Sequence, residues 1–500
     1  MKSDVKSAMR STNISFTAML LSTVTPPPEQ RLLASKPSNA ISFSGGGSRS
    51  YTVSIGYLLG LKQLDLLGDV RYMIGISGGS WATAAFSYAR LNASYTEADL
   101  LDAYTPPQNL TVAGLKKMPA SARRAVTRTF DSHILEKWVT MPLSKAWNEV
   151  MWANFLEPLG VEADASIALD NASAAATRSR NPAFLGSTPF VWPRANRPFP
   201  IITASLLGPA DLEPFEQDQR RYAAVEMTPL YAGVIHSRNL SFVSAHKGRT
   251  RTCAVGGVVQ PWAFSLSADG GLAGAATATL HGVASGVQKA HTLREAIGSS
   301  SYFPGGYIAG LPVLDDYAES RHYYSPATAS AAEAPTDGTF AFADGGVLQD
   351  PALIGPLQRR VRSIVLFCNF AAPLASSLNW NPANTTPSTD DLDSDLPAYF
   401  GILPTGYTNS SRGYSLVHNQ VFASDQFAPV MVALQAAQLR GAGAVATTPL
   451  VTVENAYFGI PAGIAVNVTW VYLSRATQWE AQLGRARQPA RRLLRVGAAG

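Results

Sequence analysis

Cysteine is nearly absent from this 500-residue chain: only Cys253 and Cys368 occur. So few exclude a disulfide framework and a cysteine-rich metal site. Cys368 follows Ile364-Val365-Leu366-Phe367 and reads as a small buried core residue. Long apolar runs are missing as well. No stretch reaches the roughly 18 to 20 apolar residues that span a bilayer. The run Phe16 to Val24, behind Lys2, Lys6 and Arg10, is short and broken by Thr17, Ser22 and Thr23, so it does not read as a signal peptide. Charged residues are scarce, 15% against 46% hydrophobic, which excludes the disordered class and leaves ample material for a large core. Acids are absent from the last sixteen residues, where Arg485, Arg487, Arg491, Arg492 and Arg495 supply five positive charges. Those five equal the whole formal charge of +5, so the body is neutral and no nucleic-acid partner is expected. The basic tail, 485–500, reads as a solvated end or as a weak attraction to anionic lipid headgroups.

Asparagine sequons, by contrast, are plentiful. Asn-x-Ser/Thr occurs at Asn13, Asn92, Asn109, Asn171, Asn239, Asn384, Asn409 and Asn467. They support passage through the secretory pathway. The low cysteine count opposes it, and a cytoplasmic or peripheral-membrane location is slightly favoured.

Two glycine-rich turns are the most informative feature. Ser44-Gly45-Gly46-Gly47-Ser48-Arg49 follows the strand-like Ile41-Ser42-Phe43 and leads into Tyr51 to Leu67, whose apolar residues recur at helical spacing. Gly75-Ile76-Ser77-Gly78-Gly79-Ser80 repeats that order, with Val70 to Ile76 as the strand and Trp81 to Arg90 in the helix. A serine with glycine at both second neighbours can occupy the strained elbow that pushes its hydroxyl out from a sheet edge. Successive backbone N–H groups of Gly45, Gly46 and Gly47, free of Cβ atoms at a helix N-terminus, suit a developing oxyanion. The same turn could instead bind a dinucleotide, although Ser50 replaces the third glycine of that fingerprint.

A serine needs a base, and none of the seven histidines lies in an evident turn after a late strand. Thr339-Phe340-Ala341-Phe342-Ala343, however, runs straight into Asp344-Gly345-Gly346 and places a carboxylate at a strand end. A partly dehydrated carboxylate can serve as base to a serine. An aspartate before glycine is also an ordinary turn residue.

With these three motifs in order, the chain resembles the patatin-like and cytosolic phospholipase A2 group of lipid acyl hydrolases. Gly45-Gly46-Gly47-Ser48-Arg49 resembles that group's oxyanion loop, Gly75-Ile76-Ser77-Gly78-Gly79 its nucleophile elbow, and Asp344-Gly345-Gly346 its aspartate motif. Gly298-Ser299-Ser300-Ser301-Tyr302-Phe303-Pro304 is similar to the run that precedes the patatin aspartate, whereas the long Ser77 to Asp344 interval and Ser80-Trp81 are nearer the cytosolic branch. The resemblance covers about 41–370. It implies Ser77 as nucleophile, Asp344 as base, Gly46 and Gly47 as oxyanion donors with Gly45 and Gly78 beside them, and Arg49 as a contact for a lipid phosphate. The group's calcium-binding membrane module has no room before residue 41, which puts calcium-triggered recruitment in question. No metal or other cofactor is expected.

The implied fold is α/β, a patatin-like three-layer sandwich with a mainly parallel central sheet. Residues 1–40 are expected as an N-terminal extension and 41–484 as the catalytic domain, with about 91–185 as a helical insertion or cap. Further strands are expected at Phe199 to Ala204, Tyr222 to Met227, Ser363 to Phe367 and Val466 to Leu473. Surface insertions are expected at about 308–337 and 371–395. The expected function is hydrolysis of fatty-acyl esters of glycerophospholipids or lysophospholipids, with a transacylase or a non-catalytic lipid-binding relative as alternatives. Contact with a membrane surface would come from Phe190-Val191-Trp192-Pro193-Arg194 with Arg197 and Phe199, a loop that more often reads as a packed connection into the following strand. A second basic stretch, Lys116, Lys117, Arg123, Arg124 and Arg128, reads as a solvated helix face. Nothing in the sequence fixes an oligomeric state.

Overall fold

The computed structural model describes residues 12–20, 27–91, 96–101, 104, 106–110, 141–216, 221–246, 248–268, 277–284, 289–308, 319–327, 336–408 and 413–483. The second basic stretch and the basic tail lie outside them. No helix among the described residues is long and apolar enough to cross a membrane.

Five parallel strands form the middle of a thirteen-stranded mixed sheet. In spatial order they are Phe199–Pro209, Tyr72–Ile76, Asn39–Phe43, Ser363–Cys368 and Ala465–Tyr472. All five residues of Tyr72–Ile76 are buried, as are all eleven of Phe199–Pro209, the near-continuous apolar burial expected of parallel strands covered on both faces. Helices Gly47–Gln63 and Gly78–Tyr88 follow the strands Asn39–Phe43 and Tyr72–Ile76 and pack on each other. The α/β class and the parallel central strands expected from the sequence are present.

Both flanks are antiparallel. Ala444–Val451 pairs with Ala465–Tyr472 at one edge; at the other, Ala223–Met227, Ala232–Val243, Thr250–Val259, Thr12–Met19 and Thr277–Ala284 follow in turn. Thr12–Met19, expected within an extension, is thus a strand of the main sheet. Its alternation explains this: Ile14, Phe16 and Ala18 are buried on one face, and Phe16 meets Trp262 and Tyr324 edge-on at 6.2 and 6.4 Å between ring centroids. Replacing Phe16 by Ala should therefore destabilise the protein by about 3 to 5 kcal/mol in urea unfolding. A cost within about 0.5 kcal/mol would mean the strand is dispensable.

One other expectation changes. The segment 308–337 contains the strand Glu319–Ser325, antiparallel to Thr336–Asp344, with Tyr323 and Tyr324 buried. The aromatic-arginine loop near Phe190 is packed against the body, as its reading as a packed connection has it. Phe190, Val191 and Phe199 are buried, Arg194 and Arg197 bind the Glu97 carboxylate at 2.8 and 2.6 Å, and the Arg90 guanidinium covers the Trp192 ring at 4.4 Å. In the expected cap, the described helices are Glu97–Leu101, Leu143–Phe155, Asn171–Arg180 and Pro182–Leu185. Over 371–395 the chain is irregular until the short helix Asp395–Ala398.

Candidate active site

Strand Phe199–Pro209 is long enough to take two partners along one edge. Tyr72–Ile76 runs parallel to its first part and ends with Ile76 opposite Thr203. Thr336–Asp344 runs antiparallel to its second part and ends with Asp344 opposite Ala204. The two strands therefore meet head-on along one edge, and the residues at the junction are Ser77 and Asp344. This places side by side two residues 267 positions apart: Ser77 Oγ donates to Asp344 Oδ2 at 2.8 Å. Both residues are 7% exposed, so the pair is largely shielded yet reachable.

Ser77 sits at φ 51° and ψ −124°, a strained conformation for a residue with a Cβ. That strain is held by the surroundings. The Ser77 N–H donates to both the carbonyl and the hydroxyl oxygen of Ser300 at 3.1 Å, and the Ser300 hydroxyl donates to Thr203 O at 2.7 Å. Two residues later, Tyr302 O accepts the Asp344 N–H at 3.1 Å. The small-residue run thus supports both members of the pair from one side. Asp344 Oδ1 takes the Gly346 N–H at 2.8 Å, which fixes the carboxylate plane and turns Oδ2 to the serine.

The first glycine loop lies against the elbow. A Cβ on Gly78 would stand 2.0 Å from Gly47 O, so the two turns can touch only without side chains there. Gly46 has φ 118°, which a residue with a Cβ adopts only with strain. Both Gly47 and Gly78 open helices, of 17 and 11 residues, so two positive helix ends converge beside the Ser77 hydroxyl. Among the described residues, the N–H groups of Gly46, Gly47 and Gly78 have no acceptor. Gly45 differs: its N–H donates to Asp350 O at 3.3 Å, so it is not the free donor the sequence suggested. Arg49 is exposed and turns its Nε and Nη2 to the carbonyl of Asn369 at 3.2 and 3.1 Å.

Sequence reasoning missed Asn369 and Asp350. A Cβ on Gly45 would fall 2.2 Å from Asp350 Oδ1 and 3.1 Å from Ser77 Cβ, so this second carboxylate borders the site. The Asp350-Pro351 step, six residues after Asp344, was the available signal. Buried Cys368 is held as a thiol, its pKa pushed well up by burial and then by the Asp350, Asp393 and Asp395 carboxylates. Buried His291 is held neutral at pH 7, its pKa lowered to about 4 chiefly by burial, with Glu295 opposing. Among the described residues no group of three or more His, Cys, Asp or Glu could hold a metal ion.

No protein-family model matches the chain. Over 114 residues, 23% of this chain, it is 29% identical to human cytosolic phospholipase A2 gamma, and over 48 residues it is 48% identical to human cytosolic phospholipase A2 epsilon. The chain is similar to the cytosolic phospholipases A2. Its matches span 20% and 6% of those two proteins' length. Solved structures of human GIVD cytosolic phospholipase A2, alone and with methyl γ-linolenyl fluorophosphonate, align at TM-scores of 0.40 and 0.32 with 14% and 17% identity. They cover 69% and 67% of this chain, and 48% and 41% of those chains. The motifs read from the sequence point to the same group.

Proposed function

We propose that the chain is a serine lipid acyl hydrolase that cleaves fatty-acyl esters of glycerophospholipids or lysophospholipids. The observation that carries this reading is the 2.8 Å hydrogen bond from Ser77 Oγ to Asp344 Oδ2 on a strained strand-to-helix elbow. Ser77 Oγ attacks the ester carbonyl while its proton passes to Asp344. The tetrahedral oxyanion is received by the N–H groups of Gly46 and Gly47, with Gly78 at the adjacent helix end. Asp344 then returns the proton to the departing glycerol oxygen, leaving the acyl group on Ser77. Water, deprotonated by Asp344, attacks that ester and releases the fatty acid. Arg49, exposed two residues after Gly47, is the side chain that would meet a lipid phosphate in this reading.

The test is fatty-acid release, with chelator present, from phosphatidylcholine vesicles carrying different acyl chains at the two positions. A fluorophosphonate probe is read in parallel as a mass increment on the Ser77 peptide. Release together with labelling at Ser77 is expected, and the acyl chain released gives the positional preference. Absence of both, on phosphatidylcholine and on lysophosphatidylcholine, would make the chain a non-catalytic lipid binder. Labelling with acyl transfer only to an added alcohol would make it a transacylase.

A further inference from the structure

Three successive glycines make a poor scaffold for catalysis unless something outside the loop holds them. Glycine loses more backbone freedom on ordering than any other residue, and Gly46 and Gly47 both take positive φ values, 118° and 59°. Oxyanion donors act only when their direction is fixed before the charge develops. The residue that meets the loop at both ends is Asn369, wholly buried and the first residue after strand Ser363–Cys368. That strand runs parallel to Asn39–Phe43 with Phe367 opposite Phe43, so the chain brings Asn369 alongside the glycines.

Its contacts divide between the two ends. The Asn369 N–H donates to Ser44 Oγ at 2.7 Å, before the glycines. Its Nδ2 donates to Ser50 Oγ at 2.9 Å, after them, and to Ser54 Oγ one helical turn on at 3.2 Å. Ser50 Oγ in turn donates to Ser44 O at 2.6 Å, closing the loop on itself. The Asn369 carbonyl receives Arg49 Nε and Nη2, and a Cβ on Gly46 would come within 3.1 Å of that same oxygen. One residue thus uses its donor, its acceptor and its side-chain amide on the loop that carries Gly46 and Gly47.

We infer that Asn369 is the positioning residue of the oxyanion loop, acting on the reaction through Ser44, Ser50 and Arg49 rather than by touching substrate. This rests on the hydrolase reading of Ser77 and Asp344. Loosening the loop by about 1 Å misplaces donors that serve the transition state more than the bound ester, so the loss falls on kcat and can reach about a hundredfold.

The experiment compares Asn369→Ala, Ser50→Ala and the double variant, with each rate divided by the fraction of sites titrated by a fluorophosphonate reporter. That division removes any misfolded population. The smaller Ser50→Ala change keeps a measurement available where Asn369→Ala folds poorly. The expected result is a kcat per titrated site lowered about tenfold to a hundredfold in each single variant, with KM within about twofold, and a double variant no slower than the worse single. An unchanged kcat per titrated site, with only thermal stability or titratable fraction reduced, would overturn the inference. So would independent, multiplying losses. Failure of the hydrolase reading looks different, since the native protein would then neither release fatty acid nor take the label.

Discussion

Asp344→Asn is expected to lower kcat for fatty-acid release by about three to four orders of magnitude while leaving KM within about twofold. The amide is nearly isosteric and can still accept the Gly346 N–H that Oδ1 receives at 2.8 Å, so the strand end keeps its place. What it cannot do is accept the Ser77 proton. An amide is not basic at neutral pH, and if its NH2 faces Ser77 Oγ it presents a donor where the serine also needs to donate. Ser77→Ala should fall at least as far and lose fluorophosphonate labelling entirely. Because serine and base act as one unit, the double variant should be no slower than Ser77→Ala alone. The measurement is initial release rate from mixed-acyl vesicles at fixed lipid surface, with circular dichroism to show retained folding. A folded Asp344→Asn protein within tenfold of the native rate would remove Asp344 as the base and direct attention to Asp350, whose carboxylate also borders the site.

The residues that meet at Ser77 and Asp344 were more legible in the sequence than the sheet that brings them together. Ser77, Asp344 and the glycines announce themselves because their conformations and contacts require particular residues in short local patterns: no side chain at Gly78, a helix start after each turn, a carboxylate at a strand end. The buried parallel strands at Tyr72–Ile76 and Ser363–Cys368 are equally visible as apolar runs. Beyond Ala223–Met227, the antiparallel flanks are not. Thr12–Met19 does carry the two-residue alternation of a half-buried strand, but eight residues do not say which strands they pair with, and Ala232–Val243 loses its alternation at the irregularity between Val234 and Arg238. Nor does any local pattern say that Thr336–Asp344 ends opposite Ala204, one residue beyond Ile76's partner; that register is a nonlocal property of Phe199–Pro209. Asn369 was hidden for another reason. A lone asparagine after an apolar strand is an ordinary turn residue, and its role depends on Ser44, Ser50 and Ser54, more than 300 positions away.

Between Asp350 and Asn369 the chain is anchored at Arg359, and Arg359→Met is expected to destabilise the protein by about 3 to 5 kcal/mol in urea unfolding. Arg359 is buried, its guanidinium bound to Glu226 through Nη1 and Nη2 at 2.8 and 2.5 Å, to Glu29 through Nε at 2.8 Å, and to the Tyr231 hydroxyl at 2.5 Å. Methionine fills similar volume but leaves two buried carboxylates facing each other without a cation. Much of the loss should return when Glu29→Gln and Glu226→Gln are added, because the penalty lies in the stranded charges rather than in the missing contacts. The native network sets two carboxylates, Glu29 and Glu226, against one cation, and among the described residues Glu29 Oε2 is buried with no hydrogen-bond partner. Burial, with the Glu226 charge added, raises the Glu29 pKa above 4.5 against the opposing pull of Arg359. A carboxyl whose folded pKa lies above its unfolded value contributes stability below pH 4.5, and that contribution is lost as pH rises through the folded pKa. Glu29→Gln alone should therefore gain stability relative to the native protein as pH is raised from about 4 to 7. A difference that stays flat over that range would mean Glu29 titrates alike in the folded and unfolded chain. The Arg359 anchor would then be a balanced pair with Glu226 rather than a strained three-charge cluster.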